Sequence, residues 1–189
     1  MRASAAIGGD LFRYRLLQTE ALTWLADAEN RQGQRATALK HLRDAQAVWQ
    51  MLAAEQPEEF SVKAGNHDLQ QILAEVLQAQ GDLEGALMAL RAALAFAEAE
   101  KASKPSDVRA LWRVADCYRR FGACYEAQAI RARPPEERRA ARQQAKDWYQ
   151  KSLQQWDEWP RLAVSSVFNT TRRDSVARAL TRCETQLKP

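Results

Sequence analysis

The sequence predicts an all-α fold, a solenoid of three antiparallel helical hairpins closed by a C-terminal helix. The main observation is an internal repeat: residues 73–94 match residues 25–46 at an offset of 48, with nine of twenty-two positions identical. Apolar residues also recur at spacings of three and four through most of the chain, which indicates amphipathic helices. Seven glycines and six prolines are too few for the turns of an all-β protein of this length. Self-similarity at a fixed offset is typical of helical repeats, whose units bury their apolar faces against each other.

The composition excludes several classes of protein. No apolar run reaches the roughly 18 residues that a membrane span needs, and the N-terminal MRASAAIGGD lacks the apolar core of a secretion signal. Three cysteines without CxxC spacing argue against a disulfide framework or a zinc site. We therefore expect a cytoplasmic protein that needs no metal or cofactor and does not act at a membrane.

The charge is unevenly distributed along the chain. Residues 1–106 carry 11 basic and 14 acidic side chains, net −3, whereas residues 107–189 carry 17 basic and 10 acidic ones, net +7. A polarised solenoid could hold an acidic partner at its basic end. Charged helix faces are more often simply solvated, and this is the interpretation we prefer.

The first unit is predicted at about residues 10–57, after a flexible lead-in over residues 1–9 that ends in Gly8-Gly9. Asp10 suits the N-cap of a helix over about 10–31, and Gly33 ends that helix. Its apolar stripe is Leu11, Tyr14, Ala21, Leu25 and Ala28. A partner helix over about 35–55 follows, with a stripe of Ala38, Leu42, Ala45, Trp49 and Leu52, and Pro57 marks its end.

The second unit is predicted at about residues 58–103. Its first helix begins somewhere between Glu58 and Asp68 and runs to Gly81-Asp82. Its second helix begins at Leu83 and ends near Lys101. The loop after it contains Pro105, and Ser106 or Asp107 caps the helix that follows.

The third unit, at about residues 106–160, is 18 residues longer than the repeat predicts. Uninterrupted spacings of three and four favour a helix that continues through Gly122 to about Arg131. Pro134-Pro135 then makes the turn, and the return helix runs from about Pro135 to Trp159. Arms of about 25 residues would be about 37 Å long. The alternative is a break at Gly122 followed by a short helix over 123–132.

The chain is predicted to end in a loop over 160–170 and a capping helix over about 171–187. Pro160 ends the return helix. The terminal helix carries one apolar stripe and a polar outer face, as the exposed end of a solenoid requires.

The repeat resembles the tetratricopeptide repeat (TPR). The resemblance is carried by Leu25, Ala26, Gly33, Ala38, Leu42 and Ala45, which recur as Leu73, Ala74, Gly81, Ala86, Leu90 and Ala93. The spacings of 48 and 41 residues exceed the usual 34, so these would be long-helix variants. The C-terminal part, with WYQKSL and VARALTRCETQL, is similar to the TPR region of some bacterial serine/threonine protein kinases. The kinase signatures themselves are absent from the sequence.

This resemblance implies a right-handed α-solenoid that acts as a non-catalytic protein–protein interaction module, a scaffold or adaptor. A peptide or partner protein would lie along the concave face, which the first helix of each hairpin lines. The implied groove residues are Thr23, Asp27, Asn30, Arg31, Gln71, Glu75, Gln78, Trp112, Asp116, Arg119 and Arg120. The Lys/Asn arrangement by which co-chaperone members hold a carboxylate is missing, because Thr23 and Asp27 occupy its first two places.

The acids Asp27, Glu75 and Asp116 occupy equivalent positions in the three units. As one hypothesis, they form a ladder of carboxylates that favours a basic or amide-rich segment. Under the alternative, each acid pairs with a neighbouring arginine of its own chain. The residues leave these two interpretations equal.

The competing function is nucleic-acid or anion binding through the basic tip of the third hairpin. The residues concerned are Arg131, Arg133, Arg138, Arg139 and Arg142. No aromatic side chains alternate with them to supply a stacking platform, so the sequence favours a protein partner over a nucleic acid. Self-assembly of the repeat domain with a second copy is a further alternative.

Nothing in the sequence points to catalysis. His41 and His67 lie in different units, and no carboxylate is matched with a nucleophile, a cofactor loop or a set of metal ligands. Cys117 and Cys124 could share a helix face, but buried free cysteines are common. The tryptophans of the third unit are expected in the core, with Trp112 partly exposed.

Overall fold

A computed structural model describes residues 2–163 and 166–188, with side chains from residue 10 onward. Over these residues the protein consists of seven helices without strands, which confirms the all-α prediction. The helices are α1 (Arg2–Arg31), α2 (Arg35–Glu55), α3 (Phe60–Gln80), α4 (Leu83–Ser103), α5 (Val108–Arg131), α6 (Pro135–Leu162) and α7 (Val167–Leu187). The chain divides into two compact units, residues 1–82 and residues 83–189. The division falls between Asp82 and Leu83, and so between the two helices that were predicted to form the second hairpin.

Unit 1 contains α1, α2 and α3, and each of these helices packs against the other two. Leu42, Trp49, Leu52, Leu69 and Val76 are buried in its core. The stripe predicted for α2 is therefore the face that packs. Gly65 on α3 packs against the indole ring of Trp49, and a Cβ atom at residue 65 would overlap that ring. The absence of a side chain at this position lets α2 and α3 approach closely.

Helix α1 differs from its prediction at its start. It begins at Arg2 instead of Asp10, so residues 8 and 9 lie inside the helix and Asp10 is not its N-cap. Each glycine costs about 1 kcal/mol in a helix. Extending a formed helix is much easier than nucleating one, so an existing helix tolerates them. Met1 of the predicted lead-in lies outside the described residues.

The stripe predicted for α1 is also not the face that packs. Leu11, Tyr14, Ala21, Leu25 and Ala28 are all exposed. The packed face consists instead of Phe12, Leu16, Thr19, Leu22, Thr23 and Ala26. The helix carries apolar side chains on two adjoining faces, and periodicity alone does not say which face meets the core.

The two copies of the repeat have the same local structure. Gly33 and Gly81 each follow the end of a helix. Both residues adopt the left-handed backbone conformation, with φ of 80° and 97°, which favours glycine. Four small or apolar positions are buried in both copies, Ala26 and Ala74, Ala38 and Ala86, Leu42 and Leu90, and Ala45 and Ala93. The repeat in the sequence is thus a repeat of turns and of buried positions.

Unit 2 contains α4, α5, α6 and α7, in which each helix packs against the next along the chain. Helix α5 begins at Val108 with Asp107 as its N-cap and continues through Gly122, as its spacing predicts. The ring of Tyr149 on α6 lies 2.6 Å from the place that a Cβ of residue 122 would occupy. Further towards the N-terminus of α5, Ser152 donates a hydrogen bond of 2.7 Å to the carbonyl of Ala115. Residue 122 of α5 thus pairs with residue 149 of α6, and residue 115 pairs with residue 152. The two helices therefore run in opposite directions.

The predicted loop over 160–170 is shorter than expected. Helix α6 continues past Pro160 to Leu162, because only the last turn lies beyond the proline and the amide of Ala163 still bonds to the carbonyl of Trp159. Helix α7 already begins at Val167. Ser166 and Asn169 form a capping box at its start, in which each side chain bonds to the backbone amide of the other residue. Residues 164 and 165 lie outside the described residues.

Candidate functional site

The groove residues predicted on α1 form one local cluster in unit 1. Asp27 is buried and pairs with Arg31, whose Nη2 lies 2.7 Å from its carboxylate. Thr23 is buried and donates a hydrogen bond to the carbonyl of Thr19. Asn30 is half-buried, and its Oδ1 has no hydrogen-bond partner among the described residues. Arg31 is the exposed member of this cluster.

The groove residues predicted on α3 are less accessible than a groove requires. Gln71 is buried and lies 3.1 Å from Nε2 of His67. Glu75 and Gln78 are half-buried, and both interact with other parts of the chain. This side of α3 therefore offers a partner two partly covered polar residues.

Asp116 is the centre of an ion-pair network in unit 2. Its carboxylate is buried and lies 2.8 Å from Nε of Arg119 and 2.7 Å from Nε of Arg120. Arg172 of α7 approaches to 4.0 Å. Burial alone would raise the pKa of Asp116, but the charges and hydrogen bonds of Arg120 and Arg119 outweigh it and hold this pKa well below its usual value.

The acids at the equivalent positions 27 and 116 thus pair with arginines of their own helices. This arrangement is the one described by the alternative to the carboxylate ladder. It leaves less negative charge available to a basic partner at these two positions. Trp112, the remaining groove residue of unit 2, is half-buried, as expected.

Part of the basic tip between α5 and α6 has a structural role. Arg138 donates hydrogen bonds of 3.2–3.4 Å to the carbonyls of Ala132 and Arg133, which directly follow α5. Arg142 reaches the carbonyl of Gln186 at 3.5 Å. Arg131 also interacts within the chain. Arg133 and Arg139 are therefore the members of this group that remain for an anion.

The most exposed apolar surface of unit 1 is the outer face of α1, a feature that the sequence analysis did not assign to function. Tyr14 and Leu17 are each 64% exposed, and Trp24 is 58% exposed. Leu11 and Leu25 are 47% and 45% exposed. At about 100° per residue, these five side chains occupy one continuous arc of the helix. The sequence did contain a signal for this exposed face, because α1 carries more apolar residues than one packed face needs.

Next to this outer face lies a cavity of about 310 Å³ within unit 1. Helix α1 contributes Glu20 and Trp24, α2 contributes Trp49, and α3 contributes Phe60 and Asp68. The cavity thus combines three aromatic side chains with two carboxylates. The exposed Trp24 belongs both to the cavity and to the outer face of α1.

The cysteines and His41 are buried or paired within the chain. Cys117, Cys124 and Cys183 are buried free thiols, and burial raises the pKa of Cys124 and of Cys183 to about 11. His41 contacts Glu29 at 2.8 Å. The described part of the chain contains no group of three or more His, Cys, Asp or Glu placed to hold a metal ion. Within the same residues, no helix is both long and apolar enough to cross a membrane.

Comparisons of the sequence with known proteins do not place it in a family. No protein-family model matches the chain, and no curated protein matches it significantly.

Proposed function

We propose that this protein is a non-catalytic interaction module, a scaffold or adaptor that binds another protein through unit 1. The observation that carries this proposal is the exposed outer face of α1. The resemblance to the tetratricopeptide repeat supports it independently, since such domains bind peptides and partner proteins. We propose with it that the helices are arranged as a right-handed solenoid of helical hairpins, as the same resemblance implies.

The outer face of α1 has the size and composition of a binding surface. Tyr14 and Trp24 are each more than half exposed, and aromatic side chains of this kind bury about 150–250 Å² each when covered. Together they would bury roughly 200–300 Å², to which the three leucines add. A standard interface buries about 800 Å² on each partner, so this face would form its apolar centre.

The partner that this face fits is an apolar helix face of another protein. The exposed arc follows one helix over residues 11–25, and two helices pack along such stripes by interdigitating their side chains. The charged residues Arg13 and Glu20 lie beside the stripe and would form part of the rim of the interface.

Several reactive side chains of unit 2 are buried or paired within the chain. The three thiols are buried, and burial disfavours the thiolate of Cys124 and of Cys183. The carboxylate of Asp116 is fully engaged by two arginines. In the proposed module these groups serve the fold.

The proposal is tested by charging the centre of the face. Leu17→Glu is expected to abolish capture of partner proteins, because a carboxylate would have to be buried in an apolar interface. Stability should change by less than about 0.5 kcal/mol, since Leu17 is already exposed. The matched control is Met51→Glu, at an apolar residue of α2 that is 47% exposed and outside the face.

The measurement is quantitative affinity capture from native extract, followed by titration of the purified partner. Loss of binding with Leu17→Glu and retention with Met51→Glu support the proposal. Equal binding by both variants would contradict it. Light scattering on the isolated chain gives the other informative result: a dimer that Leu17→Glu dissociates would show that a second copy occupies this face, and would favour self-assembly.

A further inference from the structure

We propose that the cavity in unit 1 binds an arginine side chain of the partner protein. This inference rests on the proposed function and specifies the chemistry of the partner next to the outer face of α1. The cavity uses the carboxylates of Glu20 and Asp68. It does not use Asp27, Glu75 and Asp116, the acids at equivalent positions of the repeat.

The cavity owes its space to small residues placed between large ones. Ala64 and Gly65 lie on its α3 side, between Phe60 and Asp68. Gly65 supports the ring of Trp49, which is buried and contributes to the wall from α2. Three helices of one compact unit therefore hold the cavity open, so it exists before any ligand enters.

The aromatic walls favour a flat cation. Trp24 and Phe60 line the cavity and are 58% and 45% exposed. A cation close to the face of such a ring is attracted by the negative charge of the π system, most strongly at tryptophan. Guanidinium is planar and weakly hydrated, so it stacks on an aromatic ring at a lower cost of desolvation than an ammonium group.

The charges around the cavity favour the same ligand. Glu20 is half-buried and forms no hydrogen bond or ion pair among the described residues. Asp68 provides a second carboxylate, although it also interacts with another group of the chain. Unit 1 as a whole contains 8 basic and 11 acidic side chains, net −3. An anionic ligand would be repelled, whereas a guanidinium can donate to a carboxylate through its fork of N–H groups.

The position of the cavity suits the side chain of a bound protein. Trp24 links it to the outer face of α1, so a helix lying on that face could extend one basic side chain past Trp24 towards Glu20. The volume of about 310 Å³ lies at the lower end of the range for ligand pockets, about 300–1,000 Å³. An arginine with a long apolar stem and a polar head fits such a site.

The test uses a capped pentapeptide with one arginine between two pairs of alanines, and the same peptide with citrulline, the neutral isostere of arginine. Binding is followed by the indole N–H signals of the six tryptophans in two-dimensional NMR, assigned with Trp24→Phe. The arginine peptide is expected to shift the Trp24 signal saturably, with a dissociation constant on the order of 1 mM. The citrulline peptide should bind about tenfold more weakly.

The variants separate the cavity from the overall charge of the unit. Glu20→Gln is expected to raise the dissociation constant of the arginine peptide about fivefold, because it removes the unpaired carboxylate. Asp44→Asn makes the same charge change at an exposed acid of α2 outside the cavity and should leave binding unchanged. Equal binding of the arginine and citrulline peptides, equal binding of a lysine peptide, or no effect of Glu20→Gln would overturn the inference.

The result is distinguishable from failure of the proposed function. If the peptides do not bind but Leu17→Glu still abolishes capture of the partner, only the arginine site is wrong. If the arginine peptide binds as expected while Leu17→Glu leaves capture unchanged, the cavity is an arginine site and the outer face of α1 is not the interface.

Discussion

Asp116 shows how a single buried charge is held in this protein. Its carboxylate has almost no contact with solvent, yet it stays ionised because Arg119 and Arg120 bond to its two oxygens. Neither arginine is far along the helix, at spacings of three and four residues. The three side chains therefore form a local unit on α5, and α7 adds Arg172 at its edge.

Replacing Asp116 with Asn should lower the free energy of unfolding by about 3 kcal/mol, since two arginines lose their buried counter-charge. The lowered pKa of Asp116 stabilises the folded state above the pKa of the unfolded chain, about 3.9. That stabilisation is lost as the pH falls through and below this value. Urea unfolding between pH 2 and pH 7 should therefore show a flatter pH dependence for Asp116→Asn than for the wild type.

The control for this prediction is Asp174→Asn. Asp174 belongs to an exposed pair with Arg173 at 3.8 Å, and its removal should cost less than about 1 kcal/mol. Parallel pH curves for the wild type and Asp116→Asn would show that the network does not hold the carboxylate ionised.

At the scale of elements, the pairing of α5 with α6 depends on a glycine in mid-helix. Tyr149 lies over Gly122, and its hydroxyl donates a hydrogen bond of 2.5 Å to Glu126 one turn further along α5. Arg182 of α7 reaches the same carboxylate at 3.3 Å. The intrinsic cost of Gly122 in a helix is thus offset by the close approach of Tyr149, a residue that the sequence did not indicate for this role.

Gly122→Ala should destabilise the protein by about 1–3 kcal/mol, because a methyl group would collide with the ring of Tyr149. In a Tyr149→Ala background the same change should instead stabilise it by about 1 kcal/mol, the helix propensity of alanine over glycine. A double-mutant cycle measured by urea unfolding compares the two. The same loss in both backgrounds would show that the ring is not what requires glycine.

At the scale of the molecule, the two units differ in charge and in reactive groups. Unit 1 is net negative and unit 2, with 20 basic and 13 acidic side chains, is net +7. All three cysteines lie in unit 2 and are buried. The proposed binding surface lies in unit 1, which contains no cysteine.

Stability should fall as the pH rises from about 9 to about 11. Burial raises the pKa of Cys124 and of Cys183 to about 11 in the folded state, so the unfolded chain loses these protons first. The stabilisation from these thiols is complete below the unfolded pKa and is lost as the pH passes through the folded one. Unfolding curves of Cys124→Ala/Cys183→Ala should depend less on pH over this interval than those of the wild type.

Thiol labelling provides an independent check on the same residues. In the folded protein at pH 8, an aromatic disulfide reagent should react with none of the three cysteines, whereas all three should react in denaturant. Rapid labelling of the folded chain would contradict the burial of these side chains. It would also remove the physical basis for the expected pH dependence.

The sequence by itself determined the number of helices and the turns at Gly33 and Gly81, and it located most of the helix ends. Gly33 and Gly81 adopt the left-handed conformation, α2 spans the predicted residues, and α5 passes through Gly122. The small repeated positions such as Ala38 and Ala86 are buried. These features depend on periodicity, backbone preference and side-chain size. All three can be read from residues that are close together in the sequence.

Only the tertiary structure decided which surfaces remain free. Helix α1 has two apolar faces, and α2 and α3 cover the one that contains Leu16, leaving Leu17 exposed. The division after Asp82 and the cavity beside Trp24 likewise depend on how separate helices approach each other. A single helix presents both faces equally in its sequence, so the choice between them is made by packing between residues far apart in the chain.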